Sequence, residues 1–317
     1  MKPAPLTAAD QAGDAACPTG LQWTLRRGDD ELTVTEVGGG LRVWTRGGVD
    51  VVAGFAATGQ VIAGRGQQLI PWPNRIEDGR YTFDGADLLL ALTEPVLHNA
   101  GHGLVRWVPW RLTERTADSL TVALRLHPQP GWSWVLDLET RYALTDQGLV
   151  VTTSATNRST TRAPFGCGAH PYLSLADTSL DAVTLTVPGS TCLEVDPDRL
   201  LPVGTHPVEG TGYDFRAGRV IGDTLLDTAY TDLARDADGR WEVAIGGVPH
   251  GRLALWGDAT YPWLQVFTGR ATSATEGTNG LAVEPMTCPP GAFRSGDDLL
   301  VLEPGERHTG TWGITVG

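Results

Sequence analysis

Apolar and polar residues alternate with a period of two along most of this chain. In LTVALRL, residues 120 to 126, Leu120, Val122, Leu124 and Leu126 face one way while Thr121, Ala123 and Arg125 face the other, the pattern of a strand with one buried face. WVLDLETRYAL repeats it, with Trp134, Leu136, Leu138, Tyr142 and Leu144 opposed to Asp137, Glu139 and Arg141. ELTVTEV, GLRVWT, GLVVTTSAT, AVTLTV, RWEVAI and WLQVFTG are further strand candidates, each bounded by Gly, Pro, Asn or Asp. No helix longer than about two turns is predicted, and neither heptads nor an internal repeat interrupt the pattern. Many short strands at turn-length spacing predict an all-β fold, an antiparallel β-sandwich or barrel.

Composition supports this reading. Forty glycines and 21 prolines, spread over 317 residues, disfavour long helices, and 41 % hydrophobic residues supply a sizeable core. Residues 1–20 are rich in Ala, Asp, Pro and Gly without periodicity and read as a flexible arm. Residues 21–317 contain no linker and read as one continuous domain. A formal charge of −13 repels phosphate backbones and anionic lipid, so neither nucleic acid nor a membrane surface is an expected partner. No signal-peptide pattern is present and no stretch approaches the ~18 apolar residues of a membrane span, so a soluble, cytoplasmic protein, monomeric or homodimeric, is expected. Cys17, Cys167, Cys192 and Cys288 are too scattered for a disulfide framework or zinc site and read as reduced thiols.

The local motifs exclude several chemistries. HNAGHGLVRW sets His98 and His102 four residues apart, but Asn99, Gly101 and Gly103 disfavour a helix and no third ligand follows, so no metal is expected. In an extended conformation His98, Ala100 and His102 would share one strand face. There is no G-x-S-x-G elbow, and Cys167 in PFGCGAHPYL reads either as a nucleophile near His170 or as a buried structural thiol. GGGLR lacks the phosphate-binding spacing.

What remains are polar residues in Pro-rich, aromatic surroundings: Asn74 and Arg75 in PWPNRIEDGRYTFDG, His102 and Arg106 in HGLVRW, His170 and Tyr172 in GAHPYL, Asp227 in LLDTAY, and Glu284 in VEPMTCPPGAF. Such residues read as functional loop positions. Among the 11 tryptophans, Trp72, Trp107, Trp110, Trp132, Trp134 and Trp263 lie in or near these segments, where their faces could stack on a sugar ring.

The ordered series PWPNRI, DGRYTFDG, HGLVRW, GAHPYL, LDTAY and VEPMTCPPGAF resembles the aldose 1-epimerase (galactose mutarotase) family from about residue 22 onward, most closely the bacterial subgroup in which sulfoquinovose mutarotases are proposed. The resemblance implies a large β-sandwich that binds a monosaccharide on its concave face without a cofactor. It implies Glu284 as general base and His170 as general acid. It places Arg75 and His102 on sugar oxygens and Asp227 on ring hydroxyls, with Asn74, Tyr172 and Trp263 as further substrate-binding candidates. No role is implied for His98.

Anomer exchange needs one proton removed from the anomeric hydroxyl while another reaches the ring oxygen, work suited to a carboxylate and an imidazolium. Asp227, if close, would raise the pKa of His170. PYL after His170 and the VEPMTCPP context depart from the galactose enzymes, which puts galactose in question as the substrate. An anionic sugar such as sulfoquinovose or a hexose 6-phosphate, met by Arg106, Arg80 or Arg162, is one alternative. A carbohydrate-binding protein without chemistry is the other.

Overall fold

Every alternating stretch contains a strand, although in AVTLTV it is confined to Thr184–Thr186. The computed structural model describes residues 17–269 and 279–317. Of the expected arm, residues 1–16 lie outside the described residues, and the backbone of Gly20 turns back to donate to the Cys17 carbonyl at 2.9 Å. Among the described residues, the helices are a four-residue α-turn, Ala292–Ser295, and a three-residue 3-10 turn, Leu180–Ala182. No helix is long and apolar enough to cross a membrane.

The strands form a large antiparallel sandwich. Among the described residues, the larger sheet has 12 strands. Its main order is Gln22–Arg27, Asp30–Thr35, Leu41–Arg46, Val49–Val52, Tyr172–Ser174, Gly280–Met286, Trp263–Phe267, Asp227–Leu233, Gly189–Val195 and Pro202–Pro207, with Gln68–Leu69 and Gly168–Ala169 joined at its middle. The other has 9, in the order Arg111–Arg115, Ser119–Leu126, Leu136–Leu144, Gly148–Asn157, Arg307–Val316, Gly251–Gly257, Trp241–Val248, Thr184–Thr186 and Arg219–Val220. The strand Arg307–Val316 is thus flanked by segments that precede it by 50 residues and more.

One continuous core unites the two sheets, including Trp44, Leu264, Val266, Leu281 and Val283 from the first and Leu138, Tyr142, Val151 and Ile314 from the second. In Ser119–Leu126, Leu120, Val122 and Leu126 are buried as the alternation requires, but Thr121 and Ala123 are buried as well. These small side chains are paired with Glu114 and Arg141, and with Arg111 and Glu139, whose longer side chains flank them.

Tyr142 ties the second sheet to the segment that carries the polar cluster. Its fully buried hydroxyl donates to the Gly39 carbonyl at 2.7 Å and accepts from Gln68 Nε2 at 2.6 Å. Gln68 in turn pairs with Ala169, next to His170. Tyr142→Phe strands both partners in the core and is expected to lower stability by about 1–3 kcal/mol. Urea denaturation should show a lower midpoint with an unchanged slope.

Candidate active site

Strand alternation dictates which face Glu284 occupies. In Gly280–Met286, Leu281 and Val283 enter the core, so Glu284 projects from the opposite face of the sheet. On the neighbouring strand Gln265 is its register partner, and Leu264 and Val266 are the core residues there. Gln265 Nε2 donates to Asp227 Oδ1 at 2.5 Å, which brings a third strand into the group. On the other side, Gly168 pairs with Met286 and Tyr172 with Ala282, which places His170 opposite Glu284. His170 Nε2 lies 3.3 Å from Glu284 Oε1, and the two residues are only 6 % and 2 % exposed.

A two-stranded ribbon, Arg75–Glu77 paired with Asn99–Gly101, roofs this face. At its inner end Asn74 and His102 both adopt left-handed backbone angles, φ 54° and 59°. The His102 N–H donates to the Asn74 carbonyl at 2.7 Å, and the Asn74 N–H donates to His102 Nδ1 at 3.2 Å. Because Nδ1 accepts, the neutral His102 ring carries its proton on Nε2. Arg75 is held by Glu94 through two hydrogen bonds, Nε to Oε2 at 3.0 Å and Nη2 to Oε1 at 3.2 Å, and its Nη1 lies 4.0 Å from Asp227 Oδ2.

Asn74, Arg75, His102, His170, Asp227 and Glu284 line one cavity of about 470 Å³, together with Glu94, Arg106, Gly64 and Trp107. Tyr172 does not line it. That ring is buried behind His170 with its hydroxyl donating to the Ala63 carbonyl at 2.9 Å. Trp263 lines a different cavity of about 580 Å³ and donates to Asp298 Oδ2 at 2.7 Å. The aromatic surfaces at the polar cavity are instead Phe267 and Trp107, the latter 60 % exposed. Of the arginines considered for an anionic substituent, only Arg106 reaches this cavity. Arg80 lines another hollow, and Arg162 is paired with Asp84 on the surface.

His98 and His102 do not share a strand face, because the strand covers only the three residues between them and His98 is also left-handed, φ 57°. His98 leaves the ribbon at its outer end, where its Nδ1 meets Asp78 Oδ1 at 2.8 Å. Cys167 is a buried thiol pushed up to about 12 by desolvation, which makes it unreactive at neutral pH. Among the described residues no three His, Cys, Asp or Glu side chains are grouped to hold a metal ion.

Sequence reading missed Glu94 and Gln265. Gln265 left a signal, a polar residue amid the apolar run WLQVF. Glu94, in a turn between Thr93 and Pro95, left none.

Comparison with known proteins is consistent with this architecture. Residues 22–315 match the family model described as aldose 1-epimerase. Protein YihR of Escherichia coli K12 is 35 % identical over 291 residues, covering 92 % of this chain and 91 % of YihR. The aldose 1-epimerase of the same organism is 26 % identical over 266 residues, 75 % of each chain. The crystal structure of a GalM/aldose epimerase homologue from C. elegans superposes with a TM-score of 0.80 at 18 % identity, covering 93 % of this chain and 98 % of that one.

Burial disfavours charge on both members of the central pair. It pushes Glu284 well above the ordinary carboxylate range, with the Asp227 carboxylate adding to the rise and the Arg75 guanidinium opposing it. It pushes His170 down to about 3, with the positive charges of Arg106 and Arg75 acting in the same direction. The expected rise at His170 is therefore reversed: desolvation and two guanidiniums outweigh any attraction to Asp227. His102 is held well below its usual value by burial and by Arg106, His170 and Arg75. Both shifts run toward the uncharged forms, a protonated Glu284 beside a neutral His170.

The two groups give opposite pH dependences of stability. With its folded pKa raised, Glu284 contributes fully below its ordinary value of 4.5, and the contribution is lost as pH rises toward the folded value. With its folded pKa depressed, His170 contributes fully above 6.5, and the contribution is lost as pH falls toward about 3. Relative to wild type, Glu284→Gln should gain thermal stability as pH rises from about 4 to about 8, and His170→Asn as pH falls over the same interval. Scanning calorimetry across that range measures both slopes; pH-independent offsets would mean that neither group is shifted by folding, and slopes of the opposite sign that the resting pair is ionised.

Proposed function

The chain belongs to the aldose 1-epimerase family, and we propose that it interconverts the α and β anomers of a free hexose, or a close derivative, by acid–base ring opening and closure. The observation that carries this reading is the 3.3 Å contact between His170 Nε2 and Glu284 Oε1, two nearly buried side chains that line one cavity. The anomeric hydroxyl and the ring oxygen are borne by one carbon, so the groups that serve them must also stand within a few ångströms of each other.

Glu284 accepts the anomeric proton while His170 protonates the ring oxygen. The C1–O5 bond breaks to give the open-chain aldehyde, rotation about C1–C2 presents the other carbonyl face, and the reverse transfers close the ring. The reactive form of the pair differs from the resting form by one proton moved across their contact. Arg75, which favours the Glu284 carboxylate, assists that move. His102 offers an Nε2 proton to the carbonyl oxygen as charge develops on it.

Several groups of the cavity lining have no partner within the protein: Asn74 Oδ1, Glu284 Oε2 and Arg106 Nε are all buried and unpaired. A polyhydroxylated ring satisfies both acceptors and donors of this kind. Trp107 at the rim gives an apolar face for the C–H side of the ring.

A second reading, an anionic sugar such as sulfoquinovose or a hexose 6-phosphate, has one observation in its favour. Arg75 already faces two carboxylates, whereas Arg106 keeps an unpaired Nε in the same cavity.

Anomer exchange followed by NMR or polarimetry, over neutral, phosphorylated and sulfonated sugars, tests the proposal. Acceleration is expected, with Glu284→Gln and His170→Asn each lowering turnover by about 10²–10⁴-fold. Binding without acceleration would leave a carbohydrate-binding protein. A strong preference for charged sugars, abolished by Arg106→Gln, would select the anionic reading. Trp107→Ala should raise KM several-fold at unchanged kcat, and an unchanged KM would remove the stacking role.

A further inference from the structure

An imidazole that exchanges protons must be held at a fixed angle, usually by a hydrogen bond from its second nitrogen to a carbonyl or carboxylate. No neighbouring carbonyl or carboxylate makes such a bond to His170: its Nδ1 is buried and meets no other residue, and the one backbone group that acts on the ring is its own. Apart from the Nε2 contact with Glu284, its ties are those of the backbone, the N–H to the Gln67 carbonyl at 3.1 Å and the carbonyl to the Gly66 N–H at 2.9 Å.

The ring is confined by packing. Tyr172 stacks on it with centroids 5.2 Å apart and planes 13° from parallel. The tyrosine is itself fixed by its hydroxyl on Ala63 and by Arg65, whose guanidinium carbon lies 5.7 Å from the tyrosine ring centroid and whose Nη1 donates to the Gly54 carbonyl at 2.8 Å. His102 meets the imidazole edge-on, centroids 5.6 Å apart at 70°. Gly64, at φ 71°, approaches so closely that a Cβ there would lie 2.7 Å from His170 Cδ2.

We infer that Tyr172 and Gly64 are positioning residues for the His170 imidazole, Tyr172 through its ring rather than its hydroxyl, and Gly64 through its lack of a side chain. A carboxylate on Nδ1 would orient the ring but also favour imidazolium. A stack orients it and leaves the proton free to pass between His170 and Glu284. The inference rests on the assignment of His170 as the general acid.

Tyr172→Phe, Tyr172→Leu and Gly64→Ala in the full chain, assayed beside His170→Asn for anomer exchange, test it. Tyr172→Phe should keep near-normal kcat. Tyr172→Leu and Gly64→Ala should lower kcat toward about 10²-fold, the cost of an ångström-scale misplacement, with KM nearly unchanged. Circular dichroism and melting curves confirm folding, and Gly64→Ala, which adds a single methyl, stands in if Tyr172→Leu does not fold. Wild-type kcat in a folded Tyr172→Leu or Gly64→Ala overturns the inference, and so does an equal loss in Tyr172→Phe, which would assign the role to the hydroxyl. If His170→Asn turns over normally, the acid assignment itself fails. If His170→Asn is inactive while the Tyr172 and Gly64 variants are normal, only the positioning role does.

Discussion

A carboxyl group on the outer face of a β-sheet is ordinarily solvated, and this fold keeps one there dry. Glu284 points away from the core, yet the ribbon Arg75–Glu77/Asn99–Gly101 and the wall residues Val61, Ala63 and Gly64 enclose the space in front of it. Desolvation then makes the ionised carboxylate and imidazolium individually costly. The affordable resting state is a neutral acid beside a neutral base, a pair able to interchange one proton.

The surrounding charges obey the same constraint. Arg75 contacts Glu94 and faces Asp227, and Asp227 is bonded to the uncharged Gln265. The balance on this side of the cavity is one guanidinium set between two carboxylates, with the uncharged Gln265 bonded to the second. Arg106 departs from that balance. Its Nη2 donates to the Gly101 carbonyl at 3.2 Å, and the carboxylate it feels, Glu94, is already bonded to Arg75.

Much of this was legible in the sequence, for identifiable reasons. Alternation depends only on near neighbours, so strands such as Ser119–Leu126 and Leu136–Leu144 could be read directly. Motif order brought Asn74, Arg75, His102, His170, Asp227 and Glu284 to one cavity, but the motifs said nothing of orientation. Tyr172 and Trp263 lie on or beside the same strands as the cluster and still miss the cavity, because reaching it depends on how loops roof the sheet. Glu94 was invisible because its partner is 19 residues away and the turn that carries it has no periodic signal. The pKa direction at His170 failed for a related reason: burial outweighed a neighbouring charge, and burial is a property of the assembled fold.

The placement of strand Arg307–Val316 bears on how the chain reaches this fold. It fills the gap between Gly148–Asn157 and Gly251–Gly257, much as Gly280–Met286 separates Tyr172–Ser174 from Trp263–Phe267. During synthesis from the amino end, both sheets therefore remain split, each with open strand edges, until chain distant from the starting residues emerges. The carboxyl group and the imidazole meet only when the first of these gaps closes, and the sandwich is sealed only when the second does. Partial chains thus lack the assembled cavity and carry open strand edges, a liability that falls on the ribosome-bound stage of the molecule's life rather than on its finished form.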